Sequence, residues 1–292
     1  MTDYKVAIDI GGTDIKAAVL DNGLNFVDYQ KIPTPNNTNE YIVDKVYDIV
    51  KHFQMTYKLS PLHVGISSAG VIDETNGVVD YTGPTIPNFR GTNFPKLLAS
   101  LNADVKIYND VNAALLGELY FHQYDVDNIF CLTLGTGIGG AFYNQTLGLY
   151  NGTRHRANEI GYLLYRSEDQ LTFEQRASTT ALKFLMKSKS FPYSDDVPML
   201  FKLADQDNEL ALDILNEWSF NVAEGLAQIQ IMYDPGLILI GGGISAQDQT
   251  LLKYIVPKIQ NFLPPEYGHA EIKTTHTKNH AYYLVQFHNF NN

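Results

Sequence analysis

The stretch AIDIGGTDIKAAVLD (residues 7–21) decides the fold, because an apolar run stops at an acid and two glycines and then resumes at once. The flanking segments KVAIDI and KAAVLD are typical of β-strands, and GGTD between them predicts a hairpin turn. A turn accounts for Gly11 and Gly12 but leaves Asp9, Thr13 and Lys16 unexplained. Glycine-rich turns also expose successive N–H groups that bind phosphate, so an ordinary hairpin and a phosphate loop both stay open.

In the phosphate interpretation each of the unexplained residues has a use. Thr13 adds a hydroxyl, and Lys16 adds a positive charge if it faces the site. Asp9, at a strand end beside bound phosphates, would be repelled by them unless a Mg²⁺ ion lies between.

The composition excludes several classes of protein. The chain has 292 residues, of which 45% are hydrophobic, so one large or two ordinary domains are expected. A net charge of −11 argues against nucleic acid and anionic membrane surfaces as partners. There is no signal-peptide pattern and no apolar run of the roughly 20 residues that span a bilayer, so we expect a cytoplasmic protein. The single cysteine, Cys131, excludes an internal disulfide and any cysteine-based zinc site, and predicts a buried strand position.

Short apolar strands that end in glycine turns recur along the chain, as VAIDIGGT, HVGISSAG, IFCLTLGTGIGG and LILIGGGIS. Between them lie helical patterns at 39–53, with Asn39 as a cap, at 110–121, and at 209–233, where Asp234-Pro235-Gly236 ends the helix. The alternation predicts an α/β fold, with a domain boundary near Gly117.

Two further glycine turns invite the same question as the first. LTLGTGIGGAF (132–142) repeats the hairpin with Gly135, Thr136 and Gly137, which suits either a second phosphate loop or a twisted sheet. DPGLILIGGGIS (234–245) ends a strand in three glycines, which suits either an adenosine approaching the backbone or close strand–helix packing.

Two polar segments carry candidate catalytic and binding groups. In VKIYNDVNAALLGE (105–118), Asp110 lies between a strand and a helix, where it could accept a hydroxyl proton. Asp110 or Asn109 would equally serve as a helix cap. In NGTRHRANEIGY (151–162), His155 and Glu159 could bind sugar hydroxyls, or the segment could be an exposed loop.

These elements, in this order, resemble the motifs of the ROK-family sugar kinases. The likeness rests on DIGGT, NDVNAALLGE, LGTGIGG, NEIGY and DPGLILIGGG, and it runs from Asp9 to at least Ser245. It implies a two-domain α/β actin-like ATPase (ribonuclease H-like) fold with a cleft between the domains. The small domain would comprise 1–117 plus about 277–292, and the large domain 118–276. The implied activity is that of an ATP- and Mg²⁺-dependent hexose kinase, similar to glucokinase or N-acetylmannosamine kinase, in a family where homodimers are frequent.

The resemblance also implies roles for single residues. Asp110 would be the general base, and Asp9 would help to hold Mg²⁺ through water. The ATP-binding residues would be Asp9, Gly11, Gly12, Thr13, Lys16, Gly135, Thr136, Gly137, Gly241, Gly242 and Gly243. The sugar-binding residues would be Gly70, Asn88, Asn109, Asp110, Glu159, Tyr162 and Glu174.

Two departures from the family pattern affect the prediction. Tyr162 stands where family members often have a histidine, and LLYRSEDQLTF (163–173) has no cysteine, so we expect no structural zinc. The alternatives within the family are a sugar-responsive transcriptional regulator and a non-catalytic sugar-binding protein. The regulators carry a helix-turn-helix arm before the first motif, whereas eight residues precede Asp9 here. The motifs do not choose among glucose, N-acetylmannosamine, fructose and a glycoside.

Overall fold

The computed structural model describes residues 4–83 and 86–276, which form two compact units. The first runs to Gln123 and takes in Gly152–Arg156, and the second comprises Tyr124–Asn151 and the described chain from Ala157 onward. The boundary predicted near Gly117 falls inside a helix that belongs wholly to the first unit. The contribution predicted for 277–292 lies outside the described residues.

The first unit is built on a five-stranded sheet with an antiparallel and a parallel half. Its elements in chain order are β1 Lys5–Ile10, β2 Asp14–Leu20, β3 Phe26–Pro33, α1 Ile42–Tyr57, β4 Leu62–Ser68, β5 Val71–Asp73, β6 Val78–Tyr81, α2 Phe94–Leu97, β7 Ala103–Asn109 and α3 Asp110–Phe121. The sheet order is β3-β2-β1-β4-β7, with β4 and β7 parallel to β1, and β5 pairs with β6 separately.

The second unit repeats this arrangement. Its elements are β8 Asn128–Leu134, β9 Ile138–Asn144, β10 Gly148–Leu149, α4 Phe173–Ala177, α5 Thr179–Ser188, α6 Val197–Ala204, α7 Glu209–Tyr233, β11 Leu237–Gly241, α8 Asp248–Ile259 and β12 Glu271–Thr274. The sheet order β10-β9-β8-β11-β12 again places a hairpin beside parallel strands. Short 3₁₀ turns cover Ala99–Leu101 in the first unit and Ile160–Tyr162, Gly243–Gln247 and Gln260–Phe262 in the second.

The helices follow the predicted apolar stripes, with one correction at a cap. Helix α1 buries Ile42, Val46, Ile49, Val50 and Phe53 against the sheet. Asn39 is not its cap, because Tyr41 occupies that position without a side-chain bond. The Ile42 N–H instead donates to Oδ1 of Asn37 at 3.0 Å, and the Asn37 side chain is buried.

The core of the second unit forms around α7. Trp218 is fully buried there and donates from Nε1 to Ala177 O at 2.9 Å, which satisfies its one polar group. The helix ends as predicted, because Asp234 turns into the left-handed region at φ 40°. Cys131 is buried in β8, which confirms its predicted position. Within 4–83 and 86–276, no helix combines the length and apolar character needed to cross a bilayer.

Candidate active site

The first glycine loop, Gly11–Thr13, is held by Thr34. Its Oγ1 donates to Gly11 O at 2.6 Å, and its N–H donates to Thr13 O at 2.9 Å. The Gly11 N–H is used within the turn, donating to Asp14 O at 3.0 Å. Among the described residues, the N–H groups of Gly12 and Thr13 have no acceptor. The loop therefore presents two neighbouring donors of the kind that phosphate oxygens require.

The second glycine loop, Gly135–Gly137, repeats this pattern in the second unit. The Gly135 N–H donates to Gly137 O at 3.0 Å. Thr179 N–H donates to Gly135 O at 2.9 Å, and Thr180 Oγ1 donates to Thr136 O at 2.8 Å. In the described chain, the N–H groups of Thr136 and Gly137 have no acceptor. Each loop thus exposes two donors while threonines hold its carbonyl groups.

Asp9 lies buried at the carboxyl end of β1, between a lysine and a serine. Lys16 Nζ is 3.2 Å from its Oδ2, and Ser67 Oγ donates to its Oδ1 at 3.1 Å. Burial raises the pKa of Asp9 above its ordinary value, and the charge of Lys16 offsets only part of that rise. A buried carboxylate that is incompletely compensated is a suitable oxygen donor for Mg²⁺, which keeps most of its own water ligands.

Strand register brings Asp9 to the same sheet edge as Asn109. Ile10 pairs with Ser68 on β4, and Ser68 pairs with Asn109 on β7. The carboxyl ends of these parallel strands therefore lie side by side, the place where open α/β sheets bind ligands. Asp110 follows directly at this edge.

Asn109, not Asp110, is the cap residue of α3. Its Oδ1 accepts from Val111 N–H at 2.9 Å and from Asn112 N–H at 3.2 Å. Its Nδ2 donates to Gly70 O at 2.9 Å, which joins the cap to the loop after β4. Gly70 has φ 102°, and a Cβ there would lie 2.6 Å from Tyr81 O. Asp110 Oδ1 also accepts the Val111 N–H, at 3.0 Å, so Asp110 adds a second acceptor to a cap that Asn109 already supplies.

Asn88 is paired with a residue that the sequence analysis did not select. Its Nδ2 donates to Asn37 O at 3.2 Å, and Asn37 Nδ2 donates to Pro87 O at 2.7 Å. Both asparagines have left-handed backbone, with φ of 54° and 55°. The same Asn37 accepts the first N–H of α1, so one buried side chain positions both the Asn88 loop and the start of a helix.

His155 is not the exposed loop residue that one interpretation of its segment predicts. Its Nε2 lies 3.4 Å from Asp73 Oδ1, and its side chain is 26% exposed. The next residue, Arg156, donates to Asp80 Oδ2 at 2.9 Å. Both contacts fall within the first unit, which explains why Gly152–Arg156 belongs to it.

Glu159 and Glu174 form an acidic pair within the second unit. Partial desolvation raises the pKa of Glu159, and the charge of Glu174 adds to that rise. Glu174 Oε2 accepts from Ile138 N–H at 2.8 Å, directly after the second glycine loop. Tyr162 ends the 3₁₀ turn that follows Glu159, and its side chain is 59% exposed.

The three glycines Gly241 to Gly243, at the end of β11, differ in how tightly they are packed. Gly242 has φ 85°, and a Cβ there would overlap with the Leu134 carbonyl group just before the second glycine loop. A Cβ on Gly241 would lie 3.4 Å from Thr133, whereas a Cβ on Gly243 would meet nothing within 4 Å. Close packing therefore explains Gly242, and Gly243 borders open space.

The segment 163–173, which has no cysteine, is fixed by arginines. Arg176 Nη2 donates to Leu164 O at 2.8 Å, and its Nη1 donates to Glu224 Oε2 at 2.8 Å. Arg166 Nη2 donates to the same Glu224 oxygen at 2.6 Å. These charge-assisted bonds attach the segment to α7.

Comparison with known proteins decides the family. A model described as the ROK family matches residues 5–284. The chain belongs to the ROK family. A glucokinase of Streptomyces coelicolor is 29% identical to it over 292 residues, covering 88% of this chain and 87% of that one. The resemblance drawn from the motifs is confirmed.

Solved ROK structures share the fold. A ROK family glucokinase from Streptomyces griseus, in complex with glucose and AMPPNP, aligns with a TM-score of 0.80 at 27% identity and covers 97% of both chains. A ROK family protein from Streptococcus pneumoniae TIGR4, in complex with sucrose, aligns with a TM-score of 0.82 at 28% identity, covering 99% of this chain and 98% of that one. The α/β actin-like ATPase fold is therefore confirmed.

Several positioning residues of this ROK protein escaped the sequence analysis. Thr34, Ser67 and Thr179 each hold a predicted site residue through one hydrogen bond or two. Asn37 does the same for Asn88. All lie far from their partners in sequence, and only Ser67 falls in a quoted segment, HVGISSAG, so the sequence carried no local signal for these contacts.

Proposed function

We propose that this protein is an ATP-dependent hexose kinase that transfers the γ-phosphate of ATP to a sugar hydroxyl. The observation that carries the proposal is the position of Asp110. It stands at the carboxyl edge of β1, β4 and β7, beside a cap that Asn109 supplies. Asp110 Oδ1 also accepts the Val111 N–H, but Asn109 supplies the cap, so the helix does not depend on Asp110 for this purpose. The glucokinase relative and the glucokinase structure with glucose and AMPPNP support the same reaction.

In the proposed reaction the two glycine loops bind the phosphates of ATP. The N–H groups of Gly12, Thr13, Thr136 and Gly137 would donate to phosphate oxygens, and the rigid threonine contacts keep these donors in place. Preorganised donors of this kind stabilise the charge that develops during phosphoryl transfer. Gly11 and Gly135 shape the turns, and Gly241 to Gly243 would line the adenosine site.

Mg²⁺, when bound, neutralises charge on the transferring phosphate. Asp9 is the residue that would hold it, through water, and the charge of Lys16 favours the ionised form of the Asp9 carboxyl group. Asp110 would accept the proton of the attacking sugar hydroxyl. ATP is the cosubstrate, and the cytoplasm is the compartment that supplies it.

The sugar would be bound by groups with acceptors and donors suited to hydroxyls. Glu159 is the principal candidate, because a carboxylate can accept two hydroxyls at once. Asn109 would contribute the second N–H of its Nδ2, since its other polar atoms are bonded within the protein. Gly70, Asn88, Tyr162 and Glu174 complete the proposed set. Tyr162, with an exposed phenol, would influence which sugar is preferred.

The test is ADP release from Mg-ATP in the presence of glucose, N-acetylmannosamine, fructose or a β-glucoside. We expect release that depends on one of these sugars and yields a phosphorylated product by mass spectrometry. Sugar binding by calorimetry without ADP release from any of them would instead indicate a non-catalytic sugar-binding protein.

A further inference from the structure

One oxygen atom, Glu174 Oε2, lies close to two segments: the second glycine loop, which is proposed to bind phosphate, and the turn after Glu159, which is proposed to bind sugar. It accepts the N–H of Ile138, the residue that follows the second glycine loop. A Cβ on Gly137 would overlap with it, and a Cβ on Gly161, in the turn after Glu159, would lie 3.3 Å from it. The phosphate-binding segment and the sugar-binding segment therefore meet at one carboxylate.

Helix α4, which carries Glu174, is held in place by contacts with α7. Arg176, two positions further along α4, has a side chain that is only 3% exposed, and it bonds to Glu224 and Asn221 on α7. The ring of Phe173 packs against Gly225 so closely that a Cβ there would overlap with it. These contacts with α7 fix the position of the backbone that carries Glu174.

The residues after α4 hold the other side of the same loop. Thr179 and Thr180 bond to the carbonyl oxygens of Gly135 and Thr136. Glu174 alone, among the described side chains, bonds to a backbone N–H at the end of the loop. The carbonyl side and the N–H side of the loop are therefore held by one continuous segment, 174–180.

We infer that Glu174 is a positioning residue, which holds the second glycine loop in its phosphate-binding conformation whether or not a sugar is bound. The inference rests on the proposed function for the identity of the ligand, but not for the state of the loop. Without the carboxylate, Ile138 N–H loses its acceptor, and the close packing at Gly137 and Gly161 opens.

A residue that merely contacted the sugar would behave differently. Its removal would weaken sugar binding and leave nucleotide affinity without sugar unchanged. A positioning residue alters the loop itself, so its removal weakens nucleotide binding in the absence of any sugar and loosens the loop in the ligand-free protein.

The experiment compares Glu174→Ala, Glu174→Gln and the control Glu168→Ala, which removes an exposed carboxylate from the neighbouring segment. Calorimetry with Mg-AMPPNP, without sugar, should give about tenfold weaker binding for Glu174→Ala. Leaving a buried N–H without an acceptor changes an equilibrium constant by about a factor of ten. Glu174→Gln keeps an acceptor for Ile138 N–H and should stay within about threefold of wild type. Glu168→Ala should match wild type.

Hydrogen exchange of the ligand-free proteins provides a second readout that needs no nucleotide. Exchange in peptides covering 133–139 should accelerate in Glu174→Ala alone. Unchanged exchange there overturns the inference, as does wild-type affinity of Glu174→Ala for Mg-AMPPNP. If the wild-type protein binds no nucleotide, the proposed function fails, and hydrogen exchange still decides whether Glu174 holds the loop.

Discussion

Lys16 and Asp9 face each other across the β1–β2 hairpin, with Nζ 3.2 Å from Oδ2, at positions that pair directly in the strand register. The lysine is therefore engaged with the aspartate, and its contribution to phosphate binding acts through that carboxylate. The pair also explains why an acid can be buried at a strand end, because its charge is partly offset.

Replacing Asp9 should separate stability from activity. Because burial raises the pKa of Asp9, its ionised form costs stability above the raised pKa, and the protein gains stability as pH falls toward the ordinary value. Asp9→Asn removes this cost and keeps an acceptor for Ser67, so its melting temperature at pH 7 should exceed that of wild type. Its kcat should fall by about 10²-fold or more, since a charge that acts on the phosphates is lost. Asp14→Asn, which breaks only the exposed pair with Lys31, is the control. A lower melting temperature for Asp9→Asn would contradict the account.

Glu159 should control sugar binding and its pH dependence. Glu159→Gln should raise the sugar KM by about 10–100-fold and leave the KM for ATP nearly unchanged, because charge-assisted bonds are worth about 1.5–3 kcal/mol. The pKa of Glu159 is raised by desolvation and then by Glu174, so wild-type kcat/KM for the sugar should fall as pH drops through that raised value. The glutamine variant should lack this step. An unchanged sugar KM in Glu159→Gln would show that the segment around Glu159 is not part of the sugar-binding site.

Tyr162→Phe offers a companion measurement on the same segment. The exposed phenol can donate a hydrogen bond where the family often has a histidine. We expect the ranking of sugars by kcat/KM to change while activity persists. Loss of activity with every sugar would show that the phenol has a more central role than proposed.

Alanine at Gly242 should lower the melting temperature, whereas alanine at the neighbouring Gly243 should leave it unchanged. Gly242→Ala places a Cβ against the Leu134 carbonyl at a φ of 85°, and left-handed strain alone costs on the order of 1–3 kcal/mol. Gly243→Ala meets open space and should fold with a wild-type melting temperature. Thermal unfolding of both variants checks this. Equal melting temperatures would mean that the backbone at Gly242 adjusts freely.

The ion cluster on α7 should contribute mainly through its buried member. Glu224→Ala leaves Arg176 buried without its carboxylate, and we expect a loss of about 3 kcal/mol in the free energy of unfolding, near the low end for broken buried pairs. Arg166→Ala removes a more exposed partner of the same glutamate and should cost clearly less. Glu217→Ala, on the same helix but half exposed, is the control. Urea unfolding measures the loss in the free energy of unfolding of each variant. Equal losses in the three variants would contradict the account.

Local patterns were sufficient to predict the strand–glycine–strand units and α7. Two short apolar runs and a pair of glycines between them predict a hairpin within about fifteen residues, and Asp234-Pro235-Gly236 predicts the end of α7. The predicted roles of Gly11 to Thr13 and Gly135 to Gly137 used the same local information, and those roles stay predictions.

Partners that lie far apart in sequence could not be found in this way. Thr34 reaches Gly11, and Asn37 supplies the bond expected of Asn39, because the chain after β3 folds back onto the sheet. Asp73 contacts His155 because Gly152–Arg156 belongs to the first unit although it lies far along the chain. The first unit runs to Gln123, a few residues beyond the boundary predicted near Gly117, because helix α3 continues to Phe121.

The central claim is that Asp110 is the base in a sugar kinase, and one substitution tests it most directly. Asp110→Asn keeps the size of the side chain and leaves the Asn109 cap in place, while it removes the proton acceptor. With the preferred sugar and saturating Mg-ATP, sugar-dependent ADP release should fall by about 10²–10⁴-fold, with the melting temperature and Mg-AMPPNP affinity unchanged. Asp104→Asn, at the other end of β7, should release ADP at the wild-type rate. Near wild-type turnover by Asp110→Asn would contradict the account.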